Sequence, residues 1–339
     1  MKKLRIGIVG IGTVGTELVK VLRERDFPTE ELRILATRDR EEEIAGEMFQ
    51  VRNAAAPDAF NGLDLVLFAG TEGSKGASQL YGWKAVEKGA VVVDNGDDFR
   101  MDPRVPLVVP EINPEALKNH QGFIANPNCS TIIALMALAP LHRAVRVCRL
   151  VVSTYQSVSG TGREAILELE RQTREYVEGK SYTVKTYGHR IAFNVLPQVG
   201  SFKKEMHGNT TEEVKMLNET RKILDDPAIR VASTCVRVPV FYGHAEVLNI
   251  EFEKPMSPER ARSILSNVPG VRVTDDPAAG IYPLPIDTAG KDDVLVGRIR
   301  ADESVENGLA LFVAGDNIRK GAALNAVQIA EVLFSGSRG

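Results

Sequence analysis

The sequence predicts an α/β chain of two domains: a parallel sheet covered on both faces, then a second α/β region built on a mixed or antiparallel sheet. Three observations predict it. Short, nearly continuous apolar runs alternate with helical patterns through the N-terminal third, as buried parallel strands and their crossover helices do. After Val147 the runs lengthen and alternate, with Leu248, Ile250 and Phe252 set against Glu251 and Glu253, the period of a half-buried antiparallel sheet. The 339 residues, 43% hydrophobic and 26% charged, suffice for two cores.

Composition narrows the partners. Lysine and arginine total 42 against 45 acidic residues, a net charge of −3, so no general field draws in nucleic acid or an anionic membrane. Cys129, Cys148 and Cys235 are odd in number and lack C-x-x-C or Cys/His spacing, which points to a reducing cytoplasm and no metal site. Lys2, Lys3 and Arg5 before an apolar run imitate a signal peptide, but Glu17 and Lys20 interrupt it. No stretch reaches the roughly 18 apolar residues of a membrane span.

Leu4 to Val9 reads as a buried strand, Gly10-Ile-Gly12-Thr13-Val14-Gly15 as a turn, and Thr16 to Arg25 as an amphipathic helix. Strand, G-x-G-x-x-G and helix in that order make a dinucleotide-binding turn of Rossmann type. The glycines permit the tight turn, the approach of pyrophosphate to backbone, and close helix packing. A second strand over Leu32 to Ala36 ends in Thr37-Arg38-Asp39, where an adenosine ribose is read. Thr37 and Arg38 suit a 2′-phosphate and hence NADP, whereas Asp39 suits a free 2′-hydroxyl and keeps NAD open. The alternative for this stretch is a solvated charged loop continuing into Arg40-Glu-Glu-Glu43.

Strands over Leu63 to Ala69 and Ala90 to Asp94 flank a helix from about Ser74 to Lys88. Arg100 follows just past a strand end, where ligands bind in such sheets, and is a candidate anion clamp. In Asn126-Pro127-Asn128-Cys129, proline disfavours helix before it and Asn128 is a good N-cap. Cys129 therefore falls in the first turn of an apolar helix expected to run to Pro140. Unpaired amides and the helix dipole there favour a thiolate and a developing oxyanion. An isolated cysteine is as often a small buried hydrophobe.

The next strand opens at Val147, the polar loop Gln156 to Gly162 leads to a charged helix over Arg163 to Glu178, and Arg190 to Pro197 reads as extended. Thr210-Thr-Glu-Glu213 has capping-box spacing and starts a helix to about Asp226, with Val214, Leu217 and Leu224 facing in. Glu212 and Lys215, three apart, share a side. A strand from Val231 carries Arg237, and His244 stands at a strand end beside Gly243, the best placed of five histidines for proton transfer to or from a carbonyl oxygen. After Leu309 to Val313, a last helix from about Ala322 to Phe334 returns to the first domain.

A dinucleotide turn, a helix-start cysteine, a histidine and several basic residues together suggest thiol-dependent aldehyde or acyl-phosphate redox chemistry. Motifs over nearly the whole chain carry a resemblance. Asn126-Pro-Asn-Cys129-Ser-Thr, Asp94-Asn95 with Phe99-Arg100-Met101, Val108-Val-Pro-Glu-Ile-Asn113 and Ser153-Thr-Tyr-Gln156-x-Val-Ser-Gly160 are four of them. Glu212-Glu-x-Lys215, Thr234 to Val240 with Gly243-His244, and Asn317-x-Arg-Lys-Gly-Ala-Ala complete the set. Together they resemble the aspartate-β-semialdehyde dehydrogenase family.

That resemblance implies NADP-dependent reductive dephosphorylation of L-aspartyl-4-phosphate to L-aspartate-4-semialdehyde, on the route to lysine, threonine and methionine. It implies Cys129 as nucleophile, His244 as acid/base and Gln156 as an orienting group. Arg237 pairs with the substrate α-carboxylate, Glu212 with its ammonium, and Arg100, Asn128 and Lys215 with phosphate. Ser159, Gly160 and Asn317 join Gly10, Gly12, Thr13, Val14, Gly15, Thr37 and Arg38 around the cofactor. It implies a dinucleotide-binding domain over 1–128 plus 318–339, a catalytic and dimerisation domain over 129–317, and a homodimer or homotetramer. Two features depart from the family pattern: the first glycine turn is one residue short, and Gly96-Asp97 replaces two serines. The alternatives are another acyl-phosphate reductase, such as one acting on N-acetylglutamyl phosphate, and a non-catalytic nucleotide-binding paralogue.

Overall fold

A computed structural model describes residues 2–70 and 76–335. The chain divides into two compact units, 1–128 with 321–339 and 129–320. In the first unit, β1 (Leu4–Val9) leads through a turn into α1 (Thr13–Glu24), and β2 (Thr29–Ala36) follows. Next come β3 (Arg40–Ile44), β4 (Glu47–Asn53), β5 (Leu65–Phe68), α2 (Ala77–Glu87), β6 (Val91–Asp94) and β7 (Phe123–Ala125). The sheet order is β3-β4-β2-β1-β5-β6-β7, with every pair parallel except the β3–β4 hairpin.

Hydrophobic periodicity explains the packing. Ile6 and Ile8 point from β1 onto Leu18, Val21 and Leu22 of α1, all buried in one core with Leu324, Val327 and Ile329 of the C-terminal helix Leu324–Ser335. Each such side chain contributes about 1.5–3 kcal/mol by leaving water. That burial is what places the C-terminal helix in the first unit. Arg25 of the α1 C-cap also holds Glu331 of that helix in a bidentate pair at 2.7 Å.

One reading for this unit changes. The charged run after Asp39 is a strand, not a loop: Ile44 is buried and Arg40 to Ile44 pair in register with Glu47 to Val51. One buried anchor and a complete ladder outweigh the low strand propensity of glutamate. The α2 helix is described from Ala77, and its expected start near Ser74 lies outside the described residues.

The second unit opens with α3 (Cys129–Ala144), then β8 (Val147–Gln156), α4 (Arg163–Val177), α5 (Thr211–Leu224), β9 (Arg230–Arg237) and β10 (His244–Phe252). It continues with α6 (Pro258–Leu265), β11 (Val271–Val273), β12 (Val294–Asp302) and β13 (Gly308–Gly315). The sheet order is β11-β12-β13-β10-β8-β9; the outer pairs are parallel and the inner ones antiparallel.

α3 does not stop at Pro140 but runs through it. The residue lacks only its own N–H, and Leu138, Ala139 and Leu141 are fully buried around it, so packing outweighs the lost bond. α5 carries the expected capping box, Thr210 with Glu213, but turns a different side inward. Glu212, Met216, Glu219, Thr220 and Ile223 are buried, while Val214, Leu217 and Leu224 are half-exposed. Arg190 to Pro197 is not a strand: Ile191 and Ala192 donate to Gln172, Phe193 has φ +57°, and Leu196 alone forms a bridge to Arg237.

Candidate active site

Cys129 is the first residue of α3, where the helix leaves its first amides without intrahelical partners. It is partly accessible, as is Cys148, whereas Cys235 is buried. Burial pushes the thiols of Cys235 and Cys148 up, away from the thiolate.

In the same unit, β8, β9, β10 and α5 bring five predicted residues into one buried polar cluster. Gln156 ends β8 and is 1% exposed; its Nε2 donates to Glu212 Oε1 at 3.1 Å and its Oε1 accepts from Thr154 Oγ1 at 3.1 Å. Lys215 Nζ lies 3.7 Å from Glu212 Oε2. Arg237 ends β9, is buried, and donates from Nη1 to the Ser157 carbonyl at 2.7 Å. His244 begins β10 and is fully buried. Gly160 closes the arrangement: a Cβ there would stand 3.1 Å from Arg237 Nη1 and 3.2 Å from His244 Nε2. Such contacts leave room for glycine rather than a side chain.

The electrostatics follow from burial. Loss of water, then the Arg237 charge, holds the His244 imidazolium well below its usual range, so the ring is neutral. Its Nδ1 accepts from the Ser157 N–H at 3.1 Å and lies 3.0 Å from Ser157 Oγ. Asn317 Oδ1 accepts from Ser157 Oγ at 3.1 Å, from Ser159 Oγ at 3.1 Å and from the Gly243 N–H at 3.2 Å. The oxygens of Ser159 and Asn317, expected near a cofactor, are therefore engaged in holding the histidine loop.

Sequence reasoning missed Glu246 and Ser157. Glu246 lies two residues after His244 on the same side of β10 and is fully buried. Burial, then the Glu212 charge, raises its carboxyl well above the usual range, while Ser130 beside Cys129 lowers it. Its signal was a glutamate in phase with His244 on a strand facing the core.

The remaining predicted residues lie in the first unit. Gly10 has φ +94°, and a Cβ on Gly15 would come within 2.0 Å of the Gly10 carbonyl, so both glycines are required by the turn. A Cβ on Gly12 meets nothing within 4 Å, which leaves open space over the turn, and Thr13 and Val14 begin α1. Open backbone at a helix start fits a pyrophosphate. Thr37 and Arg38 are exposed at the end of β2, whereas Asp39 Oδ1 accepts the Asn53 N–H at 2.6 Å. Asn128 is buried immediately before Cys129. Arg100 is buried and donates to the Asn95 carbonyl at 2.8 Å and the Gly96 carbonyl at 3.1 Å, bracing the loop after β6.

Among the described residues no group of three or more acidic, histidine or cysteine side chains forms a metal cluster, and no helix is long and apolar enough to cross a membrane.

Residues 5–120 match the family model of the semialdehyde dehydrogenase NAD binding domain, and residues 138–320 that of the semialdehyde dehydrogenase dimerisation domain. The aspartate-semialdehyde dehydrogenase of Aquifex aeolicus is 49% identical, with 97% of each chain covered. That of a Synechocystis strain is 47% identical, also over 97% of each. Among solved structures, aspartate semialdehyde dehydrogenase II from Vibrio cholerae superposes with a TM-score of 0.93 at 42% identity, covering 99% of this chain and 100% of that one. A second structure of that Vibrio cholerae enzyme, complexed with ASA, matches equally well. With both family models matched and relatives aligned over nearly its full length, the chain belongs to the aspartate-semialdehyde dehydrogenase family.

Proposed function

We propose that the protein reduces L-aspartyl-4-phosphate to L-aspartate-4-semialdehyde and phosphate through an acyl-thioester on Cys129. The observation that carries this reading is a helix-start thiol in the same unit as a cluster of buried Gln156, Glu212, Arg237 and His244 with part-buried Lys215. Cys129 attacks the acyl carbon, phosphate leaves, and the thioester remains on the enzyme. The dinucleotide, when bound, supplies the hydride that reduces that thioester. Collapse of the thiohemiacetal then frees the aldehyde and the thiol.

The cluster's chemistry suits an amino acid. Arg237 takes the α-carboxylate, Glu212 the ammonium, and Lys215, Arg100 and Asn128 the phosphate, with Gln156 orienting the acyl group. His244 serves the reacting carbonyl oxygen. Glu212 disfavours an N-acylated substrate, whose amide nitrogen carries no charge to pair with it.

The cofactor reading is NADP. Asp39 already accepts a backbone N–H of the β4 end, which leaves the exposed Thr37 and Arg38 as the groups offered to a ribose phosphate. Gly10, Gly12, Thr13, Val14 and Gly15 hold the pyrophosphate, and Gly160 leaves space beside His244. The dimerisation-domain match supports a homodimer, and the proposed reaction places the enzyme in the cytoplasm on the route to lysine, threonine and methionine.

The deciding assay is phosphate-dependent reduction of NADP, and separately of NAD, by L-aspartate semialdehyde, with wild type beside Cys129→Ser. Turnover should need phosphate, prefer NADP and vanish in the variant. A folded wild type inactive with both cofactors would sink the assignment.

A further inference from the structure

We infer that Asn126 is a positioning residue: its side-chain amide locks the loop that carries Arg100 to the segment that carries Asn128, and so shapes the part of the anion site that lies in the first unit. That the anion is phosphate rests on the proposed function. The positioning rests on hydrogen bonds.

Three asparagines from distant parts of the sequence form one chain of amides. Asn325, at the start of the C-terminal helix, is fully buried, and its Nδ2 donates to the Val108 carbonyl at 3.0 Å and to Asn126 Oδ1 at 2.6 Å. Asn126, 1% exposed and next after β7, donates from Nδ2 to Asn95 Oδ1 at 3.0 Å. Asn95 Nδ2 then donates to the Phe68 carbonyl, at the end of β5, at 2.7 Å. A backbone carbonyl only accepts, so Val108 and Phe68 fix the direction of the chain from its two ends. Asn126 must therefore accept on one side and donate on the other, which an amide does and a carboxylate or an alkyl group does not.

Both proposed anion ligands of this unit are attached to that link. Arg100 donates to the Asn95 carbonyl at 2.8 Å and to the Gly96 carbonyl at 3.1 Å, so its guanidinium goes where Asn95 goes. Gly70 packs closely on Asn95, since a Cβ there would stand 3.2 Å from the Asn95 carbonyl carbon and oxygen. Asn128 is buried two residues after Asn126, across Pro127, whose ring fixes its own φ. The Asn126 N–H donates to the Asp94 carbonyl at 2.7 Å, a bond that every side-chain substitution keeps. What the side chain adds is the tie to Asn95 and to the C-terminal helix. Without it, Asn95 loses the Asn126 donor, and its bonds from N–H and Nδ2 to the Phe68 carbonyl hold it to β5 and not to the segment of Asn128.

The test is the initial rate of phosphate-dependent NADP reduction by L-aspartate semialdehyde in wild type, Asn126→Ala and Asn126→Asp. Asn126→Ala should raise KM for phosphate about tenfold at every pH, the scale of one lost buried hydrogen bond, and leave KM for NADP within about twofold. Asn126→Asp should show the same defect at about pH 8.5, where a carboxylate faces Asn95 Oδ1, and lose most of it at about pH 6.5, where the protonated acid supplies the missing donor. The charged groups near the amide are Asp94 before Asn95, Arg100 bonded to it, and Glu111, which accepts from Gln328 along the C-terminal helix at 3.0 Å. They act on wild type and variant alike, so the ratio of the two KM values isolates position 126. An unchanged KM for phosphate in folded Asn126→Ala, an equal rise in KM for NADP, or an Asn126→Asp ratio independent of pH overturns the inference. If Asn126→Ala does not fold, Asn126→Asp decides alone, compared with its own protonated form.

A second arm needs no turnover: thermal melting of NADP-loaded protein in phosphate against chloride of equal ionic strength. Phosphate should raise the melting temperature of wild type, and Asn126→Ala should need about tenfold more phosphate for the same shift. Wild type that phosphate stabilises but that leaves the aldehyde untouched sinks the thioester reading alone, and this arm still decides the positioning. Wild type that phosphate neither stabilises nor activates overturns the inference, because no anion is left to position.

Discussion

Replacing Asp94 by asparagine should stabilise the first unit at neutral pH. Asp94 ends β6 with no exposure, and burial raises its carboxyl from 3.8 to about 6 despite the Gly96 N–H at 2.8 Å and the nearby Arg100 charge. The folded state therefore keeps the proton over a range where the unfolded chain has lost it. Stability from this group is fully present below pH 3.8 and is lost as pH rises through about 6. At about 1.4 kcal/mol per pH unit, the loss amounts to about 3 kcal/mol. Asparagine mimics the protonated form: Oδ1 can keep the Gly96 N–H, and Nδ2 can donate to Ser78 Oγ, whose own proton goes to Asp98 at 3.2 Å. The assay is urea unfolding at several pH values, followed by the fluorescence of Trp83, the single tryptophan, which packs on Phe99 and Phe123 in the same unit. Asp94→Asn should match wild type near pH 4 and exceed it by about 2–3 kcal/mol at pH 7.5. Wild-type stability that stays flat from pH 4 to 7, or a variant weaker at pH 7.5, would refute the reasoning.

Other outcomes follow from single contacts. Gly15→Ala forces a Cβ to within 2.0 Å of the Gly10 carbonyl, so thermal melting should show a loss of at least about 1–3 kcal/mol and dinucleotide titration a weakened site. Thr210→Ala removes the α5 capping box and should cost about 1 kcal/mol in chemical unfolding. Arg38→Ala should raise KM for NADP about tenfold or more while leaving KM for NAD within about twofold, because only the 2′-phosphate loses a charged hydrogen bond; equal effects on both would refute the cofactor reading. Glu212→Gln can keep the Gln156 contact but not the charge, so steady-state kinetics should show a raised KM for the amino-acid substrate, roughly tenfold to a hundredfold.

Much of this protein was legible before folding because its signals are local. Turn glycines, a proline beside an N-cap, a capping box and alternating residues on β10 each act over a few neighbours, so the order of elements and the position of Cys129 at a helix start could be read directly. The Gly-rich turn likewise reported its own backbone needs, as Gly10 and Gly15 show.

What only the tertiary structure decided was the outcome of competition between distant residues. Arg40 to Glu43 became a strand because β4 offered a ladder, α3 passed Pro140 because its surroundings were packed, and α5 turned Glu212 and Glu219 inward because its buried side was chosen by neighbours and not by its apolar residues. Asn317 stood out in the sequence as a cofactor neighbour, and the fold engages its oxygen with Ser157, Ser159 and Gly243. The protonation states were invisible for the same reason. A histidine or glutamate in a sequence carries its solution chemistry, and only burial, with Arg237 or Glu212 nearby, shifts His244 and Glu246 toward their neutral forms.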